Sequence, residues 1–214
     1  MKIPLYSIVT VFALVMSSGC LPSEDTTASN DLQPRSPTTT AQNINRPATK
    51  PATVSVEGEP TPVTLRLFEQ QGYTLTTYFP ERFEPVTVAS GEGENVHFYF
   101  TLPDGTRQED VYVSFFFPKE NLSVQQMENY LLGNNGIFAT NQWQVSDRTT
   151  TNLPTWATER ISFRHTSDPR TLIGNVYIGQ IDGQVFSATV HYPAEYAEGV
   201  APRATTILDN VQLR

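Results

Sequence analysis

The sequence predicts an α+β domain, an antiparallel β-sheet sandwiched by α-helices. Three observations lead there. From about residue 63 the chain is dense in Val, Ile, Phe, Tyr and Thr, with turn signals at short intervals. Two Asp-Gly pairs, Asp104-Gly105 and Asp182-Gly183, supply the positive φ that tight hairpins need. Only two segments carry helical periodicity, so strands outnumber helices and must pair mainly with their sequence neighbours.

Taken in order, Val63 to Phe68 is a short strand or a helical lead-in, and Tyr73 to Phe79 is a strand ended by Pro80. Val96 to Leu102 and Asp110 to Phe117 form a hairpin through Pro103-Asp104-Gly105. Alternation puts Val96, Phe98 and Phe100 on one face, with Val111, Val113, Phe115 and Phe117 beside them, as the core. Ser123 and Gln126 make a Ser-x-x-Gln capping box, followed by Val124, Met127, Tyr130 and Leu131 at helical spacing up to Gly133. Trp143 to Thr149 reads as a strand. Trp156 to His165, Leu172 to Ile181 and Gln184 to Tyr192 make a further antiparallel set. Pro193 breaks the last strand. Ala194 to Asn210 then reads as a helix, with Pro202 suited to its first turn and Ile207, Leu208 and Val211 suited to packing on the sheet.

The 152 residues of that domain, 63–214, follow two segments of other character. Residues 1–19 have Lys2, an apolar run from Ile3 to Met16 and the small residues Ser17, Ser18 and Gly19, the layout of a secretory signal. The run is too short for a membrane span, which needs roughly 20 apolar residues. Ser18-Gly19-Cys20 resembles the end of the bacterial lipoprotein box, with Ser17 where that pattern prefers Leu. The resemblance implies cleavage before Cys20, the only cysteine, and acylation of its sulfur. Two or three acyl chains, at about 0.8 kcal/mol per buried CH₂, would hold the protein on a membrane. The alternative is a plain thiol at the end of an ordinary export signal. Residues 20–62 are rich in Thr, Ser, Pro, Asn and Ala, without aromatics, and read as a disordered tether. Some forty flexible residues span roughly 35 Å end to end.

The segments Tyr73-Thr74-Leu75, Tyr78-Phe79-Pro80-Glu81-Arg82-Phe83 and Val185 to Tyr196, with Ile207 to Val211, resemble PsbP-like and DcrB-like proteins. The resemblance covers about 73 to 214 and rests on structural motifs. It implies a sheet between helices, and a group that includes extrinsic subunits and assembly helpers of photosystem II and envelope lipoproteins. It carries no catalytic residues.

A formal charge of −8 argues against nucleic acid and anionic lipid heads, which reward clustered Lys and Arg. The Gly-x-Ser-x-Gly, His-Glu-x-x-His and phosphate-loop patterns do not occur, nor does a cysteine pair. His97, His165 and His191 fall on or at the ends of strands. On one face they could gather a divalent metal, completed by Glu159 or Asp168; the simpler reading is three separate histidines. Glu159 alternates onto the apolar face with Ile161 and Phe163, which a bulge beside Trp156 would resolve. Arg160 and Arg164 make a basic stripe on the opposite face, for an acidic partner or for solvent. Tyr99, Tyr112 and Phe116 point away from the core face, either beneath a covering helix or as an aromatic docking patch.

The expectation is a non-enzymatic lipoprotein without cofactor. It would be lipid-anchored to an extracytoplasmic membrane face, periplasmic or lumenal, and act as an accessory or assembly factor for a membrane protein complex, with photosystem II among the candidates. The alternative is a periplasmic module for a metal or small ligand. An unrecognised hydrolase would require a cleft in which a Ser or Asp meets a His.

Overall fold

The computed structural model describes residues 46–167 and 169–214; the signal at 1–19, Cys20, the tether up to residue 45 and Asp168 lie outside the described residues. Two antiparallel sheets carry the fold. The smaller has the order β1-β2-β3-β11, from β1 (Thr49–Val56), β2 (Glu59–Glu69), β3 (Leu75–Pro80) and β11 (Gln212–Leu213). The larger is seven-stranded, in the order β4-β5-β6-β10-β9-β8-β7. Its strands are β4 (Phe83–Ala89), β5 (Gly93–Thr101), β6 (Arg107–Pro118), β7 (Gln144–Thr149), β8 (Ala157–Ser167), β9 (Arg170–Ile181) and β10 (Gln184–Pro193). The helices are α1 (Val124–Leu132), α2 (Ile137–Thr140) and α3 (Ala197–Asp209), the last entered through a 3-10 turn at Ala194–Tyr196.

Period-two alternation divides the large sheet between two cores. On one face, Val96, Phe98, Val113, Phe115, Phe186 and Val190 pack with Phe68, Leu75 and Phe79 of the small sheet and with Val200, Ala204, Ile207 and Leu208 of α3. Trp156 ties this layer together, its Nε1 donating to the carbonyl of Leu208 at 2.9 Å. On the other face, Ile161, Phe163, Val176, Ile178 and Val185 lie under Met127 and Leu131 of α1 and Phe138 of α2. The α+β class holds, with helices on both faces of an antiparallel sheet. On the α3 side the covering layer also contains the four-stranded sheet, which the sequence reading does not resolve.

The folded part begins earlier than residue 63. Residues 49–62, assigned to the tether, form β1 and the first part of β2, and residues 63–68 continue as strand rather than helix. Composition misleads here because Pro51, Pro60 and Pro62 suggest a coil. Proline is tolerated at open edges: β1 is an edge strand, and β2 pairs with β3 only from Leu65 onward. The turn between them places Glu57 at φ 53° and Gly58 at φ 83°, both in the left-handed region that a two-residue hairpin requires. The start of the described part is also held in place. Arg46 donates to Thr76 Oγ1 and to the Asn210 carbonyl, each at 2.9 Å, and the Arg46 and Lys50 cations sit 4.5 and 4.2 Å from the centre of the Tyr78 ring.

The capping box at Ser123 forms in full, Ser123 Oγ accepting from Gln126 N–H and Gln126 Oε1 from Ser123 N–H. Pro202 lies inside α3, five residues beyond its first residue Ala197, not in its first turn. The missing N–H frees the carbonyl of Glu198, an exposed residue that solvent serves. The expected bulge also exists: the β8–β9 register shifts between Ala157 and Glu159.

Candidate functional site

The second face of the large sheet is covered unevenly. Met127 and Leu131 anchor α1 over β9 and β10, which leaves the neighbouring strands β5 and β6 largely uncovered, although Tyr130 of α1 reaches Phe116 of β6. Cross-strand pairing arranges the side chains of this face into three rungs. They read Asn95–Phe116–Ser187, His97–Ser114–Thr189 and Tyr99–Tyr112–His191. Beside the first two rungs, under the flank of α1 and the turn into α2, lies a cleft of about 310 Å³. That is at the small end of the roughly 300–1,000 Å³ range of ligand pockets.

Its floor is unusual for a sheet interior. Ser114, Ser187 and Thr189 are only 9%, 3% and 6% exposed, yet their hydroxyls enter no side-chain hydrogen bond among the described residues. They line the cleft, where water or a ligand can meet them. His97 Nδ1, by contrast, is buried without a partner. Burial holds the His97 imidazole below its usual pKa, so it is neutral at neutral pH. The wall is built by Tyr130, Leu131, Gly136, Ile137 and Thr140. Tyr130 stacks on Phe116, ring centroids 5.5 Å apart, and donates its hydroxyl to Glu92 Oε2 at 3.2 Å, which closes one end. Gly136 must be glycine, because a Cβ there would collide with the carbonyls of Tyr130 and Leu131 where the turn folds back against α1.

The third rung continues as a row of rings. Tyr112 stacks on His191 at 4.9 Å and meets His97 edge-on at 6.2 Å; beyond His191, Trp143 lies on Phe163 at 3.9 Å. Gly174 admits this packing, since a Cβ would strike the Phe163 ring and the Val190 carbonyl. His191 Nδ1 lies 2.9 Å from the Asp110 carbonyl, and burial, opposed by that contact, keeps the ring's pKa low. Burial also pushes the Tyr112 phenol well above its usual value.

No family model and no curated protein matches this chain. Solved structures do. A protein of Bacteroides thetaiotaomicron is 16% identical with a TM-score of 0.43, over 69% of this chain; the match spans about half of that protein, 48%. Cyanobacterial PsbP of Synechocystis is 10% identical with a TM-score of 0.46, covering 70% of this chain and 92% of its own. LpqN of Mycobacterium tuberculosis, described as involved in cell envelope biogenesis, is 10% identical with a TM-score of 0.33, covering 79% and 94%. At these TM-scores the likenesses carry nothing about activity or partners.

Of the residues singled out in the sequence, Cys20 lies outside the described part. His97, His165 and His191 do share one face of the sheet, but they do not gather. The Tyr112 ring separates His97 from His191, and His165 Nδ1 is 3.2 Å from the Gln142 carbonyl. Among the described residues no group of three His, Cys, Asp or Glu side chains could hold a metal ion. Arg160 and Arg164 lie on the face opposite Ile161 and Phe163. Arg160 is half-buried with Nη2 3.6 Å from Asp147, so the basic stripe is partly neutralised, while Arg164 is exposed. Tyr99 and Tyr112 lie on the second face as expected; Phe116 is covered by Tyr130, whereas Tyr99 carries the Arg107 guanidinium 4.8 Å above its ring. Glu159 is met by Arg148 Nε at 2.6 Å.

The cleft also places a serine beside a histidine, since Ser114 and His97 are cross-strand partners. Nucleophilic catalysis needs more than that pairing. Among the described residues no hydrogen bond joins the two, and His97 Nδ1 has no carboxylate to orient it. What the arrangement offers is recognition, through several donors and acceptors on a rigid floor beneath a partly apolar wall. Sequence reasoning missed Ser114, Ser187 and Thr189 because small polar residues alternating with a core read as a solvated face.

Proposed function

We propose that this protein is an extracytoplasmic binding protein, tethered to a membrane through acylated Cys20, whose domain takes a small ligand in the cleft between α1 and the sheet and acts without catalysis of its own. The observation that carries the reading is the floor: three residues at least nine-tenths buried whose hydroxyls, unpaired among the described residues, open onto the cavity. Water serves such groups until a ligand with matching donors and acceptors displaces it. In this reading the accessory role is presentation of the ligand to a membrane complex. No helix among the described residues is long and apolar enough to cross a membrane; the anchor is assigned to Cys20 on its resemblance to the lipoprotein box.

Two measurements test this. Heteronuclear NMR of the full chain against a panel of small neutral and charged molecules is expected to give saturable shifts confined to the cleft amides. Shifts elsewhere, or none, would remove the binding reading. Fractionation of the Cys20→Ala variant is expected to move the protein out of the membrane pellet; retention there would remove the anchor.

A further inference from the structure

The chemistry of the cleft narrows its ligand, on the premise that the cleft is a binding site. Apart from Glu92 at the rim, no lining side chain is charged, and one Glu92 oxygen already accepts from Tyr130. An anion would meet no counter-charge there, and a cation would lose its hydration for a single, already engaged carboxylate. The ligand is therefore neutral.

Hydroxyls both donate and accept. Ser114, Ser187 and Thr189 are best met by groups with the same double capacity, which are other hydroxyls. Ser114 and Thr189 lie directly across from each other on adjacent strands, whose spacing is about 4.8 Å. That is comparable to the separation of hydroxyls on alternate carbons of a pyranose chair. Asn95 and His97 extend the polar floor on β5. Above it, Leu131, Ile137 and the Tyr130–Phe116 pair offer an apolar wall suited to the C–H face of a ring. An extended peptide fits poorly, because β5, β6 and β10 are interior strands with main-chain groups committed to their neighbours on both sides.

We infer that the cleft binds one neutral sugar ring, either a free monosaccharide or the terminal residue of a glycan, with Ser114, Ser187 and Thr189 holding its hydroxyls.

The test is NMR titration of the full chain with glucose, N-acetylglucosamine and myo-inositol, with glucuronic acid and glucosamine as charged counterparts. Nicotinamide and a short neutral peptide serve as non-sugar controls. At least one neutral ring is expected to shift the amides of Ser114, Ser187 and Thr189 saturably, with both charged analogues about tenfold weaker or more. Thr189→Val and Ser187→Ala, each verified by thermal melting, are expected to weaken binding about tenfold, the loss of a buried hydrogen bond. Tighter binding of an oligosaccharide than of its terminal monosaccharide identifies a glycan end; equal binding identifies the free sugar. If nicotinamide or the peptide shifts these amides and no neutral ring does, the sugar assignment falls while the binding cleft stands. Silence from every probe overturns both.

Discussion

Arg148 on β7 holds Glu128 of α1 and Glu159 of β8 together, its Nη2 lying 2.6 Å from Glu128 Oε1 and its Nε 2.6 Å from Glu159 Oε1. This clasp ties the helix that walls the cleft to the far edge of the sheet. The Arg148 side chain is 43% exposed, so solvent screens the interaction and the pair is worth about 1 kcal/mol or less. Arg148→Ala is therefore expected to lower thermal stability only slightly while speeding amide exchange across Val124–Leu132. Added salt should reproduce that local effect in the wild type and leave the variant unchanged. Equal protection of α1 in both proteins would show that apolar packing alone positions the wall.

The floor hydroxyls give a prediction with an unusual sign. Replacing a paired buried hydroxyl is destabilising, but Ser114, Ser187 and Thr189 have no side-chain hydrogen bond among the described residues to lose. Ser187→Ala and Thr189→Val should keep stability within about 0.5 kcal/mol, or raise it, because valine suits a strand. A loss of about 2 kcal/mol in denaturant unfolding would mean the hydroxyls serve the fold.

Trp156 is different. It contributes a hydrogen bond to the Leu208 carbonyl and a ring contact to Phe186, 5.0 Å away. Trp156→Ala is expected to cost about 3–5 kcal/mol. Trp156→Phe should cost about 1–3 kcal/mol, since it keeps most of the packing and leaves the carbonyl unmet. Equilibrium urea unfolding separates the two.

Acid should weaken the fold early. The pKa values of His97 and His191 are both lowered in the folded protein from 6.5, chiefly by burial. Below about pH 6.5 the unfolded chain takes up protons that the folded chain refuses, so stability falls as pH drops from there toward the folded values. Around His191 lie Tyr112, Trp143, the Asp110 carbonyl and the charge-coupled His165. Unfolding free energy measured from pH 7.5 to pH 5 should decline, and the decline should flatten in the His97→Gln, His191→Gln double variant. The same slope in both proteins would assign the effect elsewhere.

The boundary of the folded unit is testable by truncation. A chain starting at Ile44 keeps Arg46 and Lys50 against Tyr78 and should melt as the full chain does. One starting at Val63 loses β1 and bares the small sheet, so it is expected to melt several degrees lower or to aggregate. Equal melting would show that β1 contributes nothing.

Much of this fold is written locally. The capping box at Ser123, the Asp182-Gly183 turn and the alternation of Val96, Phe98, Val113 and Phe115 each depend on chemistry within a few residues, and each appears where the sequence puts it. The Glu57-Gly58 hairpin carried the same kind of signal, but Pro51, Pro60 and Pro62 outweighed it. Whether a proline is tolerated depends on which strand lies at an edge, and that is settled by pairing between segments far apart in the chain.

The sequence by itself determined the α+β class and the core face of the central hairpin. These rest on periodicity and short-range turn chemistry. Only the tertiary structure decided what the second face does. β6 and β10 had to come into register before Ser114, Thr189 and Ser187 met, and α1 had to settle on Ile161 and Val176 before β5 and β6 were left open beside it. A small polar residue on an alternating strand reads the same whether it faces water or a cleft, because exposure belongs to what packs above it.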